Sequence, residues 1–256
     1  MSTDDLIVEV KGPVLWLIIN REERRNAMNV AVLQGICSGI ERACNDRSIR
    51  AVVLSGAGTR AFCAGGDLQS ANPFGIDYSD PYGRGADVFR KARAATVPLI
   101  ARVNGACLAG GMGLMAMCDL VVADNKAVFG LPEVTLGVFP AQVLSVLQFL
   151  IPRRALNEMC LIGERISAQR ALELGLVNYI TDDLDRTLDE VLNKLLANSP
   201  AAIRRGLYTL KKIETMSFEE SISFTESQIS LFALTDDAKE GQLAFREKRK
   251  PEWTGR

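Results

Sequence analysis

An α/β fold with a helical tail is predicted by three observations. Apolar, β-rich runs alternate with stretches of helical period over the first 185 or so residues. These strand–loop–helix units recur without any sequence repeat, which favours one sheet system with parallel pairing over separate all-α and all-β domains. From about 186 onward the strand signals vanish and amphipathic helices follow one another. The 256 residues, 48% hydrophobic and 24% charged, suffice for one large domain or two of moderate size.

Residues 6–20 (LIVEVKGPVLWLIIN) read as two strands around a Lys11-Gly12-Pro13 turn. A helix follows over 29–45, with Leu33, Ile36, Cys37, Ile40, Ala43 and Cys44 at helical spacing and Asn29 as N-cap. AVVLSG (51–56) is the next strand, then a helical stretch around 85–96, a strand at 99–103, a Gly-rich helix at 110–118 and a strand at 120–123. An apolar helix is expected over 141–151, and short helices over 155–162 and 168–174 that stop at Gly163 and Gly175. The tail divides into helices at 186–197, 200–213, 217–234 and 236–247, with Ser199-Pro200 and Thr235-Asp236 as breaks or caps. The expected boundary sets a core at 1–195 apart from a helical region at 196–256.

The chain has no histidine. That excludes a Ser-His-Asp triad, a Cys-His pair and a zinc site with His ligands, so acid–base work falls first to a carboxylate. With 30 Lys plus Arg against 31 Asp plus Glu, the net charge of −1 gives no pull toward nucleic acid or an acidic membrane. The acidic start Met-Ser-Thr-Asp-Asp fits neither a secretory nor a transit peptide. The longest charge-free stretch, Val134 to Pro152, contains Pro140, Gln142, Ser145 and Gln148 and is a poor membrane span. Six scattered cysteines without a CxxC pair read as reduced thiols of a cytoplasmic protein.

Gly56-Ala-Gly58-Thr-Arg-Ala61 formally matches a dinucleotide fingerprint, but no helix follows it closely and the match carries little weight. Two other loops are richer. Residues 61–67 (AFCAGGD) and 104–113 (NGACLAGGMG) each place small residues near a strand end, the second leading into a helix. Small residues let backbone N–H groups approach a ligand, and a pair of such donors beside a helix N-terminus stabilises an oxyanion without a charged side chain. Composition alone is equally served by close packing of helix on sheet.

The order of motifs decides between these. RRNAMN (24–29), AFCAGGDL (61–68), NGACLAGGMGL (104–114), FGLPEVTLG (129–137), ISAQRALELGLV (166–177) and EGQLAFREKRK (240–250) together resemble the crotonase family of enoyl-CoA hydratases and isomerases, over essentially the whole chain. The resemblance implies a spiral of ββα units whose C-terminal helices build trimers, often paired into hexamers. It implies an acyl-CoA thioester as substrate, in the setting of fatty-acid β-oxidation, and no separate cofactor or metal.

Carried over position by position, the resemblance implies an oxyanion hole from the Ala64 and Gly110 amides and a catalytic carboxylate at Glu133. The surroundings of Glu133, Leu131-Pro132 and Val134 before a charge-free run, favour partial burial and a raised pKa; the competing reading is a solvated loop carboxylate. Family hydratases commonly hold a second glutamate in the helix after the second glycine loop, and here that position is Gly113. Two carboxylates hold and activate a water, whereas one suffices to move a proton between carbons. Hydration of a 2-enoyl-CoA is the first expectation because it is common in the family. A Δ3-to-Δ2 isomerase is the close alternative, and a catalytically silent CoA-ester binder the third.

The resemblance further gives contacts to CoA or acyl group from Arg24, Arg25, Ala27, Phe62, Cys63, Asp67, Leu68 and Gly111, and a contact of Lys248 to CoA held by a neighbouring subunit. For the charged residues the competing reading is a solvated surface, and for Cys63 a buried structural thiol with nothing to activate it. The acyl pocket is expected to draw on 69–97, including Phe74, Tyr78, Tyr82 and Phe89, and on 136–149.

Overall fold

Strands β1 (Leu6–Lys11) and β2 (Val14–Ile19) pair antiparallel, from Leu6 opposite Ile19 to Lys11 opposite Val14. Lys11 thus belongs to the strand, and the turn is Gly12-Pro13, with Gly12 at φ +56°, a conformation that costs glycine little. The structure, a computed structural model, describes residues 3–69 and 83–256. Phe74, Tyr78 and Tyr82 lie outside the described residues.

Helix α1 (Val30–Asn45) starts where the Asn29 side chain accepts the Val32 N–H at 3.0 Å, and it buries Val32, Ile36, Ile40 and Ala43. After it the chain winds in repeated two-strand steps: β3 (Ala51–Gly56) and β4 (Ala61–Cys63), β5 (Leu99–Val103) and β6 (Ala106–Leu108), β7 (Leu120–Asp124) and β8 (Val128–Gly130). Helix α2 (Arg84–Ala94) follows the first pair and α3 (Gly110–Ala116) leaves the second. One strand of each pair joins a six-stranded sheet, β1-β2-β3-β5-β7-β10, and the other a four-stranded sheet, β4-β6-β8-β9, closed by β9 (Arg165–Ser167) and β10 (Tyr179–Thr181). The β2, β3, β5, β7 and β10 neighbours are parallel. Such strands are covered on both faces, and β3 is buried along its whole length.

One apolar cluster fills the space between the sheets and α1, joining Leu17, Ile36, Phe62, Met112 and Phe129. A second lies on the other face of the large sheet, where Leu184, Leu188, Val191 and Leu192 of α7 (Leu184–Leu196) meet Val53, Ile100 and Val122. α7 therefore belongs with the core, and the tail begins at the Ser199 cap of α8 (Pro200–Ile213).

The segment expected as one helix over 141–151 is helical only at α4 (Leu144–Leu147). It is flanked by Pro140 and Pro152 and held by successive i→i+3 turns, such as Ser145 N–H to Gln142 O and Leu150 N–H to Leu147 O. Helices α5 (Arg153–Ile162) and α6 (Ala168–Glu173) end near Gly163 and Gly175, both at positive φ. Helices α9 (Phe218–Ala233) and α10 (Asp236–Glu247) complete the tail, α9 opening with a reciprocal Ser217–Glu220 capping box.

Cations fix α8 to the core. The Arg204 guanidinium donates to the carbonyls of Ala43, Cys44, Asp46 and Ile49 at 2.8–3.2 Å, closing the C-terminal end of α1. Lys211 does the same for α2 through Ala92 O and Ala95 O at 3.1 Å, and pairs with Asp119 at 3.2 Å. Among the described residues no helix is long and apolar enough to cross a membrane.

Candidate active site

The small sheet aligns three strand ends. Cys63 pairs with Cys107, and Leu108 with Gly130, so β4, β6 and β8 run parallel and release the chain at one edge. Ala64, Gly110 and Glu133 are the first, second and third residues past those ends. Loops at the carboxyl ends of parallel strands are where α/β folds gather ligand groups.

The two glycine loops touch. A Cβ on Gly65 would lie 2.8 Å from the Ala109 Cβ, and one on Gly110 only 3.6 Å from Gly65 Cα. Ala109 sits at φ +50°, ψ −126°, a strained conformation for a residue with a Cβ, and so turns the chain from β6 into α3. Gly110 is the first residue of α3, and among the described residues its N–H has no acceptor. The Ala64 N–H donates to Arg25 O at 3.1 Å. Of the two amides expected to form the oxyanion hole, Gly110 is thus an open donor, and Ala64 is one that a ligand oxygen would reach only by displacing the Arg25 carbonyl.

Glu133 lies in the 3-10 turn Pro132–Leu136, where proline at the first position presets the turn. It is half-buried, and its Oε2 is buried without a hydrogen-bond partner. Burial raises its pKa above the ordinary carboxyl value, outweighing the contact with its own backbone amide. A buried carboxyl of raised pKa is of the kind suited to proton exchange.

At Gly113 an added Cβ would lie 2.6 Å from Phe89 Cζ and 2.8 Å from Val143 Cγ1. The place of a second carboxylate is therefore occupied by two apolar side chains.

Around this centre the other expected residues divide. Phe62 and Cys63 are fully buried, and burial pushes the Cys63 thiol up to about 12, so both side chains serve the core and only their backbone faces the loop. Gly111 is buried against Cys63 O, 2.2 Å from where its Cβ would stand, which packs α3 closely on β4. Ala27 is buried as well. Asp67 is held by Arg21 at 2.8 Å, which lowers its pKa, and its N–H donates to Met28 O at 2.8 Å, so it orients the loop. Arg24, Arg25, Leu68 and Lys248 are exposed, Lys248 at the left-handed C-cap of α10.

Three positioning residues were given no role in the motif reading, although Asn26 and Asn104 lie within its motifs. Arg21 bridges Asp5, Asp67 and Ala27 O. Asn26, fully buried at φ +57°, donates to Ala57 O and Ala61 O at 3.0 and 2.6 Å. Asn104 donates to Gly56 O and Gly58 O at 2.9 and 2.6 Å, so two asparagines grip the turn that precedes β4. Asparagine's tolerance of positive φ was the one available clue for Asn26.

The family model for enoyl-CoA hydratase/isomerase matches residues 9–256. The chain belongs to the enoyl-CoA hydratase/isomerase family. It is 36% identical to an enoyl-CoA hydratase, EchA19, of Mycobacterium tuberculosis, over 100% of this chain and 98% of that one. It is 34% identical to the 2,3-dehydroadipyl-CoA hydratase of Escherichia coli, over 98% and 99%. A solved enoyl-CoA hydratase of Mycobacterium smegmatis superposes with a TM-score of 0.92 at 32% identity, covering 97% of this chain and 98% of that one. The spiral of two-strand steps with its helical tail is the fold of that family, and an enzyme acting on CoA esters is what membership supports.

Proposed function

We propose that the protein shifts the double bond of a 3-enoyl-CoA to the 2-position through a single carboxylate. The carrying observation is Gly113, which offers no second carboxylate and where an added Cβ would meet Phe89 Cζ at 2.6 Å and Val143 Cγ1 at 2.8 Å. In this reading the thioester oxygen takes the Gly110 N–H, and takes the Ala64 N–H in exchange for Arg25 O. Glu133 removes a proton from C2, the electron pair moves to the oxyanion as a dienolate, and the same carboxyl returns the proton at C4. The dipoles at the start of α3 stabilise the anion without any imidazole.

Hydration is the second reading, favoured by the hydratases among the relatives. Incubation with a 3-enoyl-CoA and, separately, with crotonyl-CoA distinguishes them. Gain of conjugated-enoyl absorbance with the first supports isomerisation; loss with the second and no gain with the first transfers the assignment to hydration. No change with either leaves a silent CoA-ester binder.

A homotrimer, alone or doubled, belongs to the same proposal. Phe218, Ile229, Leu234 and Phe245 on α9 and α10 are exposed, Phe245 by 85%, and exposed apolar groups in such number mark an interaction surface. Trimer formation brings Lys248 to the CoA of a neighbour.

A further inference from the structure

The turn that carries Glu133 is backed by helix α5. A Cβ added at Gly163, the left-handed residue that closes α5, would lie 3.1 Å from Val134 Cγ1, 3.4 Å from Thr135 Cγ2 and 3.5 Å from Pro132 Cα. Pro132 and Val134 are the chain neighbours of Glu133. The carboxyl is therefore carried beside the C-terminal end of a helix, where backbone dipoles disfavour negative charge. Of the last-turn carbonyls, Met159 O accepts the Gly163 N–H at 3.1 Å, while Cys160, Leu161 and Ile162 O have no donor among the described residues.

An oxygen that is buried and unpartnered, as Glu133 Oε2 is, must be covered by groups that give it no strong hydrogen bond. Cys160 is such a group. It is buried in the last turn of α5, and the Glu133 charge adds to burial in raising its thiol pKa, so the two side chains feel each other and the thiol stays neutral. A neutral S–H is a weak donor. The other titratable side chains on the packed elements are solvated: Arg153, Arg154 and Glu158 of α5 are exposed, as are Glu164 and Arg165 after it. Helix α3 has none, the turn Pro132–Leu136 has only Glu133, and the side chains that meet α3 at Gly113 are Phe89 and Val143.

We propose that Cys160 is a positioning residue for Glu133: its thiol closes off the buried carboxyl oxygen with a neutral, weakly donating group, and so keeps the carboxylate a base strong enough for the reaction. The proposal rests on Glu133 as the group that moves the proton, whichever of the two reactions it serves. A hydroxyl in the same place donates a full hydrogen bond to the carboxylate and holds its charge, which makes it a weaker base. An aliphatic side chain of similar size covers the oxygen as the thiol does and donates nothing.

Titration of the carboxyl itself tests this without requiring turnover. In the full chain carrying a carbon-13 label at the glutamate carboxyl, the Glu133 resonance is the one absent from Glu133→Gln. Its midpoint is followed with pH in wild type, Cys160→Ser and Cys160→Val, and kcat/KM with whichever enoyl-CoA is turned over is followed across the same range. Cys160→Ser is expected to lower both midpoints by about one pH unit, and the kcat/KM plateau with them, while Cys160→Val leaves both midpoints in place. If the serine variant does not fold, Cys160→Ala, which lets a water reach Oε2, is read in its stead with the same downward direction expected. An unmoved resonance midpoint in the folded serine or alanine variant overturns the proposal. So does an equal shift in Cys160→Val, since any change at 160 would then suffice. Turnover retained by Glu133→Gln would instead defeat Glu133 as the proton carrier and leave the titration of its carboxyl standing as the measure of Cys160.

Discussion

Glu133 combines a buried oxygen, unpartnered among the described residues, with a carboxyl pKa raised by burial, a combination that costs the fold and suits the proton exchange proposed above. Glu133→Gln is expected to cut turnover of a 3-enoyl-CoA by about 10²–10⁴-fold, with binding of a saturated acyl-CoA largely unchanged. As the base must start ionised, kcat/KM of the wild type should rise with pH through a midpoint above the ordinary glutamate value of 4.5. The sign for stability is the reverse. A carboxyl whose folded pKa is raised destabilises the fold above its unfolded pKa and ceases to do so below it, so at neutral pH the Gln variant should melt no lower than wild type. Ala109→Gly is a second residue-scale test. Relief of strain of about 1–3 kcal/mol outweighs about 0.4–1 kcal/mol of added unfolded-state freedom, so denaturant unfolding should show a net gain. Glu133 and the two small-residue loops were legible because each lies in a contiguous motif. The positioning roles of Arg21, Asn26 and Asn104 were not, even though the two asparagines lie within quoted motifs, because their partners Asp67, Ala61 and Gly58 are 46, 35 and 46 residues away and only the fold brings them together.

Helix α8 shows how one element closes two others. Arg204 and Lys211, seven residues apart, reach the open carbonyls at the ends of α1 and α2. Lys211→Met also strands Asp119, whose pKa burial already raises despite the lysine beside it. The expected loss in chemical denaturation is about 3–5 kcal/mol at neutral pH. Without the lysine the Asp119 pKa rises further, so the deficit should shrink as the pH is lowered and the carboxyl takes up a proton. Helix starts were legible through side-chain caps: Asn29, Ser199 and Thr235 each accept the amide three residues on. The strands β4, β6, β8, β9 and β10 were not, since three residues are too few to display a period of two. The 141–151 segment has the apolar content of a helix, yet its paired prolines and local turns shorten it to four residues.

For the whole molecule, the apolar side chains left on α9 and α10 are the strongest pointer to assembly. Sedimentation is expected to report a trimer or its multiple, and the double change Ile229→Asp, Phe245→Asp to release smaller species while each subunit keeps its helical content. Retention of the native size would place the interface elsewhere. The α/β core and helical tail were legible from period alone. Which face of the tail helices meets its own core and which meets a partner was not, because both faces select the same residue types.

The ring of Phe89 against Gly113 also constrains how this protein can change. Gly113→Glu alone drives a carboxylate into Phe89 and Val143, overpacking that typically costs ~1–3 kcal/mol before the buried charge is counted. Phe89→Ala removes the nearer of the two contacts and leaves Val143 Cγ1, 2.8 Å from the Cβ, to give way. A lineage that acquires an acid at this position must therefore repack Phe89 and Val143 as it does so.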